Sequence, residues 1–267
     1  MAHAQTRKGF YDRRSANSFA ISAADDNYTD LEMVHKFGHS YNISTSFTPV
    51  ATADVYPTPS SLTSLEILSD DADDTSAGDG ARTVTIEGIG TDWALASETV
   101  SMNGTTAVAL SNQYFRVFFL TVATSGTYAT AAAGSHQGTI TLRVASAGAT
   151  WAQIETTGFP RGQSEIACYT VPAGKQAIVV SAFIASDSSK NVECLFFQRP
   201  NCDTVSAPYE PMRVVWEVGP LAAPENVHPV TGYGPFVGPC DLGFMAKGSG
   251  AGSEVNVDFE IALMDAR

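Results

Sequence analysis

Apolar and polar residues alternate with a period of two along most of this chain, the pattern of strands with one buried face. The cleanest run is near the C-terminus. Val255, Val257, Phe259, Ile261 and Leu263 alternate there with Glu254, Asn256, Asp258 and Glu260. Ile140, Leu142 and Val144 oppose Thr139, Thr141 and Arg143 in the same way, and Val84 and Ile86 oppose Thr83, Thr85 and Glu87. The pattern predicts strands over 65–68, 83–87, 98–102, 105–110, 114–122, 139–144, 152–155, 166–171, 176–185, 192–198, 212–218, 242–246 and 254–263. Asn103-Gly104 supplies a two-residue turn between the third and fourth of these, because both central residues of such a turn need positive φ. The one helical stretch expected is a short turn near Leu31–Val34. Strands at this spacing predict an all-β fold: an antiparallel β-sandwich, jelly-roll-like, with an extended N-terminal arm.

Two intervals break the rhythm. Residues 1–60 show weak periodicity and scatter Phe10, Tyr11, Phe19, Tyr28, Phe37, Tyr41 and Phe47 without a core of their own. Large apolar side chains in such a segment must bury against something else. They are read as an extended arm, and residues 61–267 as the sandwich domain. The second interval, Gly219–Cys240, is rich in proline and glycine yet carries Leu221, Val227, Tyr233, Phe236 and Val237. A loop of that length serves either as a crossover between sheets or as a contact with a partner. The partner reading makes those five residues a docking set. Adjacent aromatics at Phe118–Phe119 and Phe196–Phe197 put one ring on each face of a sheet, as expected of central strands.

Charge sharpens the reading of the arm. The chain carries a net charge of -13. Residues 1–14 hold Arg7, Lys8, Arg13 and Arg14 against Asp12 alone, a local +3 that leaves -16 for the rest. An acidic body argues against nucleic acid, whose phosphates need clustered Lys and Arg. A basic, aromatic arm made of Arg7, Lys8, Phe10, Tyr11, Arg13, Arg14 and Phe19 suits an acidic protein surface. The sequence lacks a run of 18 apolar residues, so no membrane partner is expected. Its first residues lack the apolar core of a cleaved leader.

Candidate chemistry is sparse. The four cysteines, at 168, 194, 202 and 240, form no CxxC pair. Cys168 and Cys194 sit in apolar strands and read as small hydrophobes, while Cys202 and Cys240 lie in loops. Asp70, Asp71, Asp73, Asp74 and Asp79 crowd one loop but match calcium-loop spacing poorly, since Thr75 occupies a ligand place. His35 and His39 are four apart in HKFGH, where a glycine opposes the helix a metal pair would need. G-x-S-x-G, P-loop and G-x-G-x-x-G patterns are missing from the sequence. The expectation is a protein with no catalytic residues, cofactor or metal.

One resemblance adds to this. GARTVTIEGIGTDWALASETVSMNGTTAV over residues 80–108 follows the acidic run SDDADDTSAGDG. With HKFGHSYNISTSF upstream and YTVPAGKQA downstream, it resembles a family of virion structural proteins of tailed bacteriophages, most clearly over residues 30–200. The resemblance implies a structural role in the virion, first as a capsid decoration or cement protein on the phage head. Its implied partners are the major capsid protein and further copies of this chain, as a trimer. A head-to-tail, collar or tail-fibre component is the alternative, and a carbohydrate-binding or depolymerising protein comes third.

Overall fold

A computed structural model of the chain describes residues 30–128, 134–156, 162–186, 190–221, 232–250 and 252–266. Among the described residues, sixteen strands and one 3-10 turn at Thr91–Trp93 make up the regular structure, and every strand pairing is antiparallel. The all-β expectation therefore holds. The strands are β1 Leu31–Ile43, β2 Thr48–Pro49, β3 Thr63–Ser69, β4 Ala81–Ile89, β5 Leu95–Ser101, β6 Val108–Tyr114, β7 Arg116–Ser125 and β8 Ile140–Val144. There follow β9 Thr150–Ile154, β10 Cys168–Val171, β11 Lys175–Ser186, β12 Val192–Pro200, β13 Arg213–Leu221, β14 Tyr233–Val237, β15 Cys240–Gly248 and β16 Ser253–Asp265.

These strands form four sheets. Sheet 1 has the order β1-β16-β11-β14, and sheet 2 the order β10-β15-β12-β13, with β2 also on β15. Sheet 3 is β6-β3-β8-β9 and sheet 4 is β5-β4-β7. Sheets 1 and 2 thus combine both ends of the described chain, while sheets 3 and 4 are built wholly from the intervening strands β3 to β9. Phe244 of β15 meets Phe259 of β16 at 5.1 Å between ring centroids, and Phe196 of β12 meets Phe236 of β14 at 5.9 Å, so sheets 1 and 2 face each other through aromatics. Gly38 of β1 packs tightly against Ala167 and Val50, beside β10 and β2 of sheet 2. A Cβ there would lie 2.3 Å from the Ala167 nitrogen, so any larger residue forces the layers apart. One apolar core runs through all four sheets.

β16 is the clearest link from pattern to burial. Val255, Val257, Phe259, Ile261 and Leu263 are all buried, whereas Glu254, Asn256, Asp258 and Glu260 are half-exposed. β12, with Phe196 and Phe197 both buried, is central between β15 and β13, as its two-faced pattern implied.

Three expectations need correction. Leu31–Val34 is not helical and lies in strand β1, which pairs with β16 from Leu31↔Met264 to Ile43↔Ser253. Residues 31–43 consequently belong to sheet 1 and not to a separate arm ending at 60. Their alternation was hard to read because the inward positions are Val34, Lys36, Gly38 and Ser40, paired with Ile261, Phe259, Val257 and Val255. Polar and small residues occupy the buried face, and Leu31, Met33 and Phe37 occupy the outer one. Asn103-Gly104, finally, closes no hairpin. β5 pairs with β4 in sheet 4 and β6 with β3 in sheet 3, so the dipeptide connects two sheets. Gly104 has φ +58, and its N–H donates to the Asp74 carbonyl at 2.7 Å.

Candidate interaction surface

Sheets 1 and 2 have two flanks, and the chain treats them differently. At one flank lie β1 and β10, which pack on each other, and β10 also meets β7 of sheet 4. This flank is sealed. Lys36 is 1 % exposed, donates from Nζ to the Phe118 carbonyl on β7 and stands 4.2 Å from the Phe119 ring centroid. Burial pulls its pKa down to about 7, an effect only partly offset by the Cys168 thiol and Glu87. Arg116 of β7, itself fully buried, makes a two-point ion pair with Asp241 of β15, Nε to Oδ1 at 3.0 Å and Nη2 to Oδ2 at 2.9 Å. The Thr170 hydroxyl donates to Asp241 Oδ1 at 2.6 Å, and Tyr56 shares a hydrogen bond with Thr170 at 2.7 Å. Burial is the largest single influence on the Arg116 pKa and acts to lower it, but the Asp241 charge and hydrogen bonds, with Tyr56 and Cys202, together outweigh it and the net shift is upward. Residues 162–166 complete the seam: Val122 N–H donates to the Gly162 carbonyl and Ser164 N–H to the Leu120 carbonyl.

At the opposite flank both sheets end, on β13 and β14. The ring centroids of Trp216 and Tyr233 are 6.3 Å apart, so the two edge strands lie side by side. Eight large apolar side chains stand out as exposed among the described residues, and five of them, Tyr209, Met212, Val214, Tyr233 and Val237, belong to β13, its lead-in and β14. Val214 is 56 % exposed and Val237 55 %. Trp216 Nε1 is buried here with no hydrogen-bond partner among the described residues, which is costly unless a neighbour supplies one.

Sequence reasoning placed five residues in this region. Tyr233 and Val237 are exposed on β14. Leu221 and Phe236 are not available: both are buried in the chain's own core, Phe236 against Phe196. Their apolar character serves folding, which corrects the reading of them as docking residues. Val227 lies outside the described residues, as do Arg7, Lys8, Phe10, Tyr11, Arg13, Arg14 and Phe19. Met212 and Val214 were missed as surface residues, because in sequence they look like any half-buried strand.

Other clusters are internally engaged. Asp74, the buried member of the acidic loop, accepts from Ala81 N and Gln137 N on Oδ1 and from Ser69 Oγ and Gly138 N on Oδ2. Asp70 Oδ1 accepts from Thr139 N at 2.7 Å. The loop is thus a knot tying β3, β4 and β8 together, with Asp74's acceptor capacity already taken. His35 Nε2 bonds Asp258 Oδ1 at 2.8 Å, and His39 lies 3.6 Å from Glu165 and 3.9 Å from Glu254. All four cysteines are buried free thiols. On the outer face of sheet 3 is an open cleft of about 500 Å³, lined by Asp70, Thr139, Thr141, Arg143, Gln153 and Glu155 among others. Arg143 is held there by Glu66 at 2.7 Å, and the lining holds no aromatic ring.

The chain matches no family model and no curated protein. Alignments with solved structures include virus particles. The T=1 particles derived from infectious bursal virus align at 10% identity over 88% of this chain and 74% of theirs, with a TM-score of 0.21. The infectious bursal disease virus Gx strain structure aligns at 11% identity, over 88% of this chain and 77% of that one, with a TM-score of 0.18. The VP2 subviral particle of the same virus gives 10% identity, 89% and 77% coverage and 0.21. Scores of this size fall below what a common fold requires.

Proposed function

We propose that this chain is a virion structural protein that works by contact and performs no chemistry. The observation that carries the reading is the open flank. A chain whose core is otherwise closed presents exposed apolar side chains and an unpartnered indole N–H where two sheets end, as expected of a surface completed by a protein neighbour. The sequence resemblance to tailed-phage virion proteins supplies the setting. Within it we favour a decoration or cement protein on the capsid surface, in contact with the major capsid protein and forming trimers. Cementing acts by adding contacts that must be broken before the shell can open. The basic residues Arg7, Lys8, Arg13 and Arg14, with Phe10, Tyr11 and Phe19, are assigned to an acidic surface of the capsid partner.

Copy number tests this against its alternative. Quantitative mass spectrometry of purified particles is expected to find this chain at hundreds of copies, of the order of the major capsid protein. About a dozen or fewer would assign it to the collar or tail. Its absence from particles would overturn the reading altogether. A glycan-binding role is less well supported, because saccharide sites use aromatic platforms and the sheet 3 cleft is lined without one.

A further inference from the structure

Sheet 2 covers one face of sheet 1, through contacts such as Phe244 on Phe259. The opposite face is laid out in rows across β1, β16 and β11. Met33, Ala262 and Ile178 form one row, His35, Glu260 and Ser181 the next, and Phe37, Asp258 and Phe183 the third. All of these except Ala262 are half-buried or exposed. Glu260 and Asp258 stand about 7 Å apart along β16, two positions on one strand face. Glu260 borders the apolar Met33 row, and Asp258 has a phenylalanine on each flank. Asp258 is bonded to His35, and Glu260 accepts from Ser181 Oγ at 3.1 Å, but neither carboxylate is paired with Lys or Arg among the described residues.

The first residues of the chain are the complement of this face. Residues 7–19 hold Arg7, Lys8, Arg13 and Arg14 among Phe10, Tyr11 and Phe19. Guanidinium and ammonium groups pair with carboxylates and also sit favourably over phenylalanine rings, so one segment suits both the acidic and the aromatic positions. The point of attachment agrees. The described chain starts at Asp30, and Leu31 pairs with Met264 at one end of this same face. From Leu31 to Phe37 the face runs about 20 Å. The stretch from Arg14 to Asp30 reaches up to about 50 Å when extended, enough to turn back and bring Arg13 and Arg14 to Glu260 and Asp258. A tether this short gives an effective concentration on the order of millimolar, which favours the chain's own face over a neighbour's.

We propose that residues 7–19 dock on the outer face of sheet 1 of their own chain before assembly, with basic side chains on Asp258 and Glu260 and aromatic rings on the Met33 and Phe37 rows. This rests on reading those residues as a docking segment, as in the proposed function, and adds a regulatory step to it. The acidic surface of the capsid partner must displace an acidic surface of the chain itself. The contact is ionic and partly solvated, so salt weakens it.

Carbodiimide cross-linking of the full-length chain tests it, because the reagent joins an amine directly to a carboxylate in contact with it. Lys8 is the one lysine of the segment. In a mixture of isotope-labelled and unlabelled chains, Lys8 is expected to link to Asp258 or Glu260 within single chains. Trypsin, which cuts after Arg7, Lys8, Arg13 and Arg14, gives a second readout. Asp258→Asn with Glu260→Gln is expected to speed removal of the segment about fivefold to tenfold without moving the unfolding midpoint, and high salt to do the same for the original chain. The proposal is overturned if Lys8 links only between differently labelled chains, if it links to neither carboxylate, or if the double variant and high salt leave the trypsin rate unchanged. Particle composition separates this from the functional reading. A chain abundant on particles whose Lys8 reaches neither carboxylate sinks the internal contact alone. A chain missing from particles whose Lys8 does link to Asp258 or Glu260 sinks the virion role and leaves the contact intact.

Discussion

The two flanks of sheets 1 and 2 use similar materials to opposite ends. At the sealed flank, charged and polar side chains are buried: Lys36 under the Phe119 ring, and Arg116 with Asp241 and Thr170. At the open flank, apolar side chains are exposed: Met212, Val214, Tyr233 and Val237. Each inverts the ordinary rule of apolar inside and polar outside. The first inversion is internally compensated, because every buried charge meets a partner, a carbonyl or an aromatic face. The second has no internal compensation. An inversion resolved within the chain is structural, whereas one left open points to a neighbour.

The sharpest test of that contrast is to break the compensation. Arg116→Met leaves the Asp241 carboxylate buried with only Thr170 and the more distant Arg199, and is expected to cost about 3–5 kcal/mol in denaturant unfolding. Adding Asp241→Leu should recover a large part of that, since a buried pair replaced by apolar groups is close to neutral. A single change that proved harmless would mean the seam is not held as described.

Phe236 and Tyr233 separate core from surface within one edge strand. Phe236→Ala removes a buried ring and should cost about 3–5 kcal/mol. Tyr233→Ser, at a position 36 % exposed, should leave the unfolding midpoint nearly unchanged and alter only self-association. Equal destabilisation by both would place Tyr233 in the core and remove it from the open flank.

A smaller effect concerns Lys36. Its folded pKa of about 7 lies below its ordinary 10.5, so between those values the unfolded chain binds more protons. Stability from this group therefore rises with pH across that window and is flat below it. Burial pushes the Cys168 thiol up to about 12, so above about pH 9 thiol ionisation in the unfolded chain acts the other way. The clean window is pH 7 to 9, where a gain of about 2–3 kcal/mol is expected. Lys36→Met should abolish that slope. A slope that survives the substitution would assign it to another group.

The smallest stability effect belongs to the open flank. Met212→Ser and Val214→Ser should change unfolding free energy by no more than about 0.5 kcal/mol while lowering the solution mass. Loss of stability without loss of mass would show that these side chains serve the chain's own fold.

By itself the sequence determined the fold class and most of the strands, because a strand with one wet face writes its burial into alternate residues. β16 and β8 could be read letter by letter. It also marked Gly219–Cys240 as unusual and Asp70–Asp79 as crowded. It did not reveal β1, since the burial of Lys36 and Gly38 depends on partners far away in sequence: Phe118 on β7, and Ala167 beside β10. Nor did it reveal β14, where Pro235 reads as loop but is tolerated on an edge strand. Which of Tyr233, Phe236 and Val237 face inward was decided only when β14 docked on β11 opposite Phe196. The reason is physical. Alternation is a property of one strand and its neighbours in sequence, whereas which edge is covered and which is open is a property of how whole sheets are stacked. The open flank, on which the proposed function rests, exists only at that second level.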